Sequence, residues 1–185
     1  MSSAQSGQSG GGEGRRGVVV SVNTSPGKGE RKKPQDHVVL REEHGIVDDG
    51  HAGPWHRQVS LLAQESIDTM VEKGLDVGPG DFAENITTEG LNLYSLPLGT
   101  RIRLGEALVE LTQIGKVCHD RCAIYYQAGD CVMPREGIFV RVLKGGRVAA
   151  GDELAVLGGG DGGTEETAEP GRTSAEEKGS SEAGS

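Results

Sequence analysis

The sequence has few aromatic residues and no long apolar segment. Only 3% of its 185 residues are aromatic and 34% are hydrophobic, which is enough for one modest core. The longest apolar runs span a few residues, such as 18–20, whereas a transmembrane helix needs about 20. Residues 1–17 also lack the apolar stretch of a secretory signal peptide. We therefore expect no membrane association and a cytoplasmic location.

The chain also lacks the excess of basic residues that is typical of nucleic-acid binders. It has 19 Lys and Arg against 28 Asp and Glu, and its net charge is −9. Neutralising a phosphate backbone requires clustered basic residues in excess. We expect no nucleic-acid partner, although a few arginines can still hold a small anionic ligand.

Glycine is abundant but unevenly placed. Of the 31 glycines, 14 lie in the two terminal segments 1–17 and 158–185, which otherwise contain mainly Ser and charged residues. Such segments bury too little apolar surface to offset the entropy of ordering. We predict a disordered tail at 1–17, one folded domain at 18–157, and a disordered acidic tail at 158–185.

The folded part is predicted to be mixed α/β but mostly β. The segment 60–73 is predicted to be a helix, whose buried face holds Ala63, Ile67, Met70 and Val71, and Gly74 follows as a helix stop. Residues 59–62 alternatively form a strand that leads into this helix. The segment 24–36 is predicted to be a polar loop. Short β-branched or alternating runs separated by glycine favour a mostly antiparallel barrel with appended helices; they are 17–23, 37–40, 100–113 with a turn at Gly105-Glu106, 137–143 and 153–157.

All three cysteines lie within residues 118–131. An odd number does not close a disulfide framework, which agrees with a reducing compartment. Zinc could bind Cys118, His119, Cys122 and Cys131, but the spacing departs from the usual two separated pairs. Alternatively, Lys116, His119 and Arg121 activate Cys118, since cationic neighbours increase the thiolate fraction. The third alternative is three small, partly buried cysteines.

Three further clusters carry polar side chains suited to an anionic or polar ligand. In 48–58, the Gly-Pro step prevents a regular helix and predicts a rigid loop. This loop either presents His51, His56 and Arg57 to a ligand, or it packs with Trp55 in the core while the histidines satisfy backbone groups. Asn85 and Thr87 offer amide and hydroxyl groups, unless residues 87–90 are only a turn between two strands. Arg135 precedes a strand, where a guanidinium can hold phosphate bidentately.

With these clusters in order, the chain resembles the MOSC domain family, named after the C-terminal domain of molybdenum-cofactor sulfurases, and in particular its small stand-alone bacterial type. The resemblance covers about residues 18–157. It rests on four ordered stretches, which are SVNTSPGKGERK, HAGPWHRQVSLLAQES, a long segment from GDFAENITTEG to TQIGKVCH, and GDCVMPREGIFVRVLKGG.

The resemblance implies a barrel-rich α/β fold with a cleft that binds a molybdopterin-type molybdenum cofactor. It places the family's signature cysteine at Cys118, which carries sulfur as a persulfide in sulfurase relatives and ligates molybdenum in amidoxime-reducing relatives. The family motifs match His51 and Arg57, Asn85 and Thr87, and Arg135. Arg57, Arg135 and Lys116 would pair with the pterin phosphate, and His56 is a further candidate for cofactor binding.

We therefore expect cofactor sulfuration or related metal–sulfur chemistry at Cys118, with molybdenum as the metal and no zinc. The alternatives are reduction of N-hydroxylated compounds and a non-catalytic cofactor carrier or insertion factor. Whether the chain is an enzyme by itself stays open, because either chemistry needs a partner. The expected partners are a sulfur donor such as a cysteine desulfurase, which would carry its own pyridoxal phosphate, or an electron donor, and proteins of molybdenum-cofactor biosynthesis.

Overall fold

The structure is a computed structural model that describes residues 14–28, 30–117 and 123–158. Within this part the chain forms eleven strands, three α-helices and one 3₁₀ helix. The strands are β1 (Arg16–Thr24), β2 (Lys33–Gln35), β3 (His37–Arg41), β4 (Gly45–Ile46), β5 (Val59–Ala63), β6 (Ile86–Glu89), β7 (Arg101–Leu104), β8 (Ala107–Ile114), β9 (Ile138–Lys144), β10 (Gly146–Ala149) and β11 (Glu153–Val156). The helices are α1 (Gln64–Glu72), α2 (Ala123–Ala128) and α3 (Met133–Glu136), and the 3₁₀ helix is η1 (Leu93–Ser95).

Seven strands form a closed barrel, so the predicted mixed, mostly β fold is confirmed. Their order around the barrel is β11-β7-β8-β9-β5-β6-β1, and β1 pairs with β11 to close the ring. The pairings are antiparallel except that between β5 and β6, which is parallel. Within the described part, β10, β3 and β4 form a separate three-stranded sheet.

The barrel core follows from the alternation of apolar residues along the strands. On β7, Ile102 and Leu104 are fully buried while Arg101 and Arg103 are exposed, as expected for a strand with one face in the core. The neighbouring strand β8 begins after the turn at Gly105-Glu106, and its residues Val109 and Leu111 point into the same interior. The barrel thus encloses one apolar core.

The segment 60–73 divides into a strand and a helix, because residues 59–63 pair on both sides as β5 before α1 begins at Gln64. The helix ends as predicted at Gly74, whose amide donates to the Val71 carbonyl at 2.8 Å and whose φ is 90°, a conformation that glycine adopts easily. Val71 was predicted to be buried, and this is wrong, since it is 46% exposed. The buried face is narrower and holds Ile67 and Met70.

A second apolar cluster covers one side of the barrel. It joins residues of α1, α2 and α3 to Leu62 on β5 and Phe139 on β9. In the described part of the chain, none of the helices is long and apolar enough to cross a membrane.

Two expectations about loops are corrected. The predicted loop 24–36 contains β2, because Lys33–Gln35 pairs with the end of β1. Residues 87–89 are not a turn but belong to β6, which is buried between β1 and β5. Local polarity hid both strands. The three residues of β2 are exposed and polar or proline, and the pairing partners of β6 are distant in sequence. The first strand also begins at Arg16 rather than at residue 17 or 18. The predicted tails beyond 14 and 158 lie outside the described residues.

Candidate functional site

A cleft of about 230 Å³ lies beside the starts of β5, β6 and β9 and the end of β8. These strand ends and the loops beside them bring together residues that are far apart in sequence. The cleft is lined by Lys28, His51, Trp55, Arg57, Ser60, Ala83, Asn85, Lys116, Met133 and Phe139. Four of the predicted site residues, His51, Arg57, Asn85 and Lys116, therefore share one cleft.

The lining is strongly cationic. Lys28, Arg57 and Lys116 carry positive charge, and no Asp or Glu is among the described residues that line the cleft. This contrasts with the net charge of −9 for the whole chain. A concave surface whose charged groups are all positive attracts anions. The cleft is thus an anion-attracting site on an acidic protein.

Arg57 is one of the lining residues, and its guanidinium packs against two aromatic rings. Its guanidinium carbon lies 4.8 Å from the Trp55 ring centroid and 5.7 Å from that of Phe139. The indole nitrogen of Trp55 donates to the carbonyl of His51 at 3.0 Å, which fixes the ring. The Nε atom of Arg57 is buried and has no hydrogen-bond partner among the described residues. A buried donor without a partner is costly, and an anion in the cleft would satisfy it.

A buried ion pair lies beside the cleft and contacts His51. The side chains of Lys32 and Asp49 are 0% and 1% exposed, and Lys32 Nζ lies 2.6 Å from Asp49 Oδ2. Lys32 Nζ also lies 3.3 Å from His51 Nδ1. Asp49 in turn accepts hydrogen bonds from the backbone amides of Ser25 at 3.1 Å and His51 at 3.0 Å. The network ties the loop after β1 to the loop that carries His51.

These contacts shift two pKa values downward. Burial raises the pKa of Asp49, but the hydrogen bond from Lys32 and those from backbone amides outweigh it, so the pKa lies below its ordinary value of 3.8. The pKa of His51 is lowered from 6.5, first by burial and then by the positive charge of Lys32. Near neutral pH, Asp49 is ionised and His51 is neutral.

Asn85 lines the cleft, but its amide is bonded within the protein. Its Oδ1 accepts from the backbone amide of Ser60 at 3.1 Å and from the Ser60 hydroxyl at 3.0 Å, and its Nδ2 donates to the Asn23 carbonyl at 3.2 Å. The residue is 1% exposed. Asn85 therefore joins the starts of β5 and β6 to the end of β1 and shapes the floor of the cleft.

Three predicted site residues are placed away from the lining. The hydroxyl of Thr87 is buried and donates to Glu84 Oε1 at 2.9 Å, and burial raises the pKa of Glu84. The His56 ring pairs with Gln113 Oε1 at 2.9 Å. Arg135 makes two bonds of 2.9 Å to Asp130. The roles predicted for these three residues stay predictions, but their polar groups already have protein partners.

Cys118, His119, Arg121 and Cys122 lie outside the described residues, so the structure adds nothing on the predicted thiolate or on a zinc site that includes them. Lys116, two residues before Cys118, does line the cleft. Among the described residues, no group of three or more His, Cys, Asp or Glu side chains could hold a metal ion. Cys131 is 8% exposed and belongs to the second apolar cluster.

Sequence reasoning missed Lys28, Lys32 and Asp49 as parts of the site. Both lysines lie in the segment taken as a polar loop, where charged residues are ordinary. The signal that could have found them is the stretch SVNTSPGKGERK, which already carried part of the family resemblance. Asp49 is separated from the HAG stretch by Gly50 alone. Asp48 beside it is exposed, and nothing in the sequence distinguishes the two carboxylates.

Comparison with known proteins agrees with this architecture. The family model described as MOSC domain matches residues 48–155. Among solved structures, the YUAD protein from Bacillus subtilis is 20% identical with a TM-score of 0.64, and the match covers 76% of this chain and 95% of that one. YiiM from Escherichia coli is 24% identical with a TM-score of 0.57, over 77% and 70% of the two chains. YiiM from Geobacillus stearothermophilus is 21% identical with a TM-score of 0.58, over 79% and 77%. At these identities the likeness shows the fold. A comparison with proteins of curated function gives no match.

Proposed function

The chain belongs to the MOSC domain family, which is linked to molybdenum-cofactor binding, and on this basis we propose that it binds a molybdopterin-type cofactor by its phosphate in the cationic cleft. The observation that carries the proposal is Arg57, whose buried Nε has no partner among the described residues. A phosphate group offers the charge and the acceptor atoms that this donor lacks.

The residues of the cleft fit such a ligand. The guanidinium of Arg57 packs against Trp55 and Phe139, which restricts its freedom, and its planar fork can donate two hydrogen bonds to one phosphate. Lys28 and Lys116 add point charges from two other loops. A phosphate monoester carries about −1.5 to −2 at pH 7, which three cations without a competing carboxylate can balance. Arg57, Lys28 and Lys116 would therefore hold the phosphate.

The proposal extends to Cys118 through the family position alone. When bound, the cofactor would supply a thiophilic molybdenum centre, for which a thiolate is a suitable soft ligand. Cys118 would then either ligate this metal or carry sulfur for it. In sequence, Cys118 follows Lys116 of the cleft by two residues. The sulfur or electron donor, the biosynthetic partners and the cytoplasmic location remain predictions of this proposal.

The test is retention of cofactor by the purified chain. Cofactor released from a molybdoenzyme is mixed with the protein, and molybdenum and pterin are measured in the protein fraction after gel filtration. Because a hydrogen bond to a charged group contributes roughly 1.5–3 kcal/mol, we expect Arg57→Ala to bind about tenfold to a hundredfold more weakly. Arg57→Lys should recover only part, since it loses the planar fork.

Arg147→Ala is the matched control, because Arg147 is an exposed arginine on β10 that does not line the cleft. It should bind like the wild type. Arg135→Ala, measured in the same series, tests the predicted role of that residue. Equal retention by the wild type and Arg57→Ala would contradict phosphate binding in this cleft.

A further inference from the structure

The buried pair of Lys32 and Asp49 has no part in the proposed function, yet it lies in direct contact with a residue of the cleft. Neither side chain lines the cleft, and both are at least 99% buried. Burying two charges is expensive, and hydrophobic residues often replace such pairs without loss of stability. The contact between Lys32 and His51 indicates that the pair acts on the His51 ring.

The chemistry of the contact determines which nitrogen of His51 carries the proton. A lysine ammonium has three donors and no acceptor. Lys32 Nζ lies 2.6 Å from Asp49 Oδ2, 3.3 Å from His51 Nδ1 and 3.4 Å from Ser25 Oγ. All three donors are thus directed at partners, and His51 Nδ1 can only accept. A neutral imidazole that accepts at Nδ1 has its proton on Nε2.

The carboxylate does not compete for this proton. Asp49 Oδ1 lies 3.8 Å from His51 Nδ1, which is too long for a hydrogen bond. That oxygen instead accepts from the His51 backbone amide at 3.0 Å. Asp49 therefore holds the ammonium and the backbone of His51, while the ammonium holds the ring.

We propose that Lys32 and Asp49 are positioning residues that keep the proton of the His51 ring on Nε2, so that His51 presents a hydrogen-bond donor to the ligand in the cleft. The ligand is taken from the proposed function, whereas the position of the proton is independent of it. Of the two ring nitrogens, Nε2 is the one without a hydrogen-bond partner among the described residues. An anionic oxygen would accept from it, and a donor group would not.

The charges that face His51 support this arrangement. Lys32, Lys116 and Lys28 act against a second proton on the ring, and only Asp49 favours one. Together with burial they lower the pKa of His51. The ring thus stays neutral near pH 7, and a neutral ring with an unprotonated Nδ1 is the form that the Lys32 contact requires.

The decisive experiment is nitrogen NMR of the full chain with ¹⁵N-labelled histidine, without any ligand. At pH 7 the spectra should show His51 Nδ1 as an unprotonated nitrogen and Nε2 as a protonated one. Assignment follows from the loss of this signal pair in His51→Gln. The opposite tautomer, or a doubly protonated ring at pH 7, would overturn the inference.

The role of the pair is tested by Lys32→Met with Lys33→Met as the matched control, since Lys33 is the adjacent lysine and is exposed. In Lys32→Met we expect Nδ1 to become protonated in part of the molecules. We also expect the pKa of His51 to rise, because a neighbouring cation is removed while Asp49 remains. Lys33→Met should keep the wild-type spectra. If Lys32→Met does not fold, Lys32→Met with Asp49→Asn removes both charges and should give a mixture of tautomers. Unchanged spectra in either variant would show that the pair does not position the ring.

Sulfate is the ligand probe, because its charge is constant near neutral pH. Its affinity for the wild type should not change around neutral pH, whereas for Lys32→Met it should increase as the pH falls through the raised pKa of His51. A pH-independent affinity in Lys32→Met would contradict the inference. Failure of the wild type to bind any sulfate would count against the proposed anion site, while the ring-nitrogen spectra still decide the tautomer.

Discussion

Replacement of Lys32 by Met is expected to be one of the most destabilising single changes in the loops of this protein. The methionine keeps an apolar stem of similar length but removes the ammonium from a pair whose side chains are 0% and 1% exposed. Asp49 is then left as a buried charge with only backbone donors from Ser25 and His51. Breaking such a pair costs about 3–5 kcal/mol. For a protein of this size, 1 kcal/mol corresponds to roughly 2–4 °C in the melting temperature, so we expect Tm to fall by about 6–20 °C.

The assay is thermal and urea unfolding followed by circular dichroism at pH 7. The exposed neighbour gives the control, and Lys33→Met should change the free energy of unfolding by less than about 0.5 kcal/mol. Adding Asp49→Asn to Lys32→Met should restore part of the loss, because the stranded charge is removed while an oxygen acceptor remains. A Tm for Lys32→Met within about 2 °C of the wild type would refute the idea that the pair is buried and mutually dependent.

Three further predictions concern acid stability, backbone conformation and thiol reactivity. The folded-state pKa of Asp49 lies below 3.8, so its ionised form stabilises the fold above that pH, and this contribution is lost as the pH falls through the folded-state pKa. The difference in urea stability between wild type and Asp49→Asn should therefore shrink from pH 7 to about pH 3. Asp48→Asn, a change at the exposed neighbour, is the control. Gly115→Ala should lower the free energy of unfolding by about 2–5 kcal/mol, because Gly115 has a φ of 66° and an added Cβ would meet the Pro134 carbonyl oxygen. In the control Gly78→Ala the added Cβ meets no atom within 4 Å, so this change should be close to neutral. Equal unfolding midpoints for the two variants would contradict the prediction. With limiting iodoacetamide, peptide mass spectrometry should find Cys118 modified before Cys122 and before Cys131, which is 8% exposed. Preferential labelling of Cys122 or Cys131 would remove Cys118 as the reactive thiol.

The barrel was predictable because its strands have local signatures. Alternation on β7 and the glycine turn before β8 are visible in sequence, and so is the glycine that ends α1. By contrast, β6 reads as a polar turn, and it becomes a buried strand because Thr87 and Thr88 pair with β5 and β1. Such pairing between distant segments is set by tertiary contacts rather than by local propensity.

The site was predictable in part for the same reason. The family motifs marked His51, Arg57 and Asn85, and the structure places all three in the cleft. They did not mark Lys32 and Asp49, whose partnership depends on two loops meeting behind the cleft. The sequence also did not show that Arg135 pairs with both carboxylate oxygens of Asp130, five residues before it. Charges in loops acquire their roles from neighbours that the sequence does not reveal.

The central claim is that the cleft holds a phosphate on Arg57, and a crystal structure of the chain with molybdopterin cofactor tests it most directly. We expect a phosphate oxygen within about 3.2 Å of Arg57 Nε, with Lys28 and Lys116 around the same group. Cofactor bound elsewhere on the barrel, or bound in the cleft with Arg57 Nε still without a partner, would contradict it.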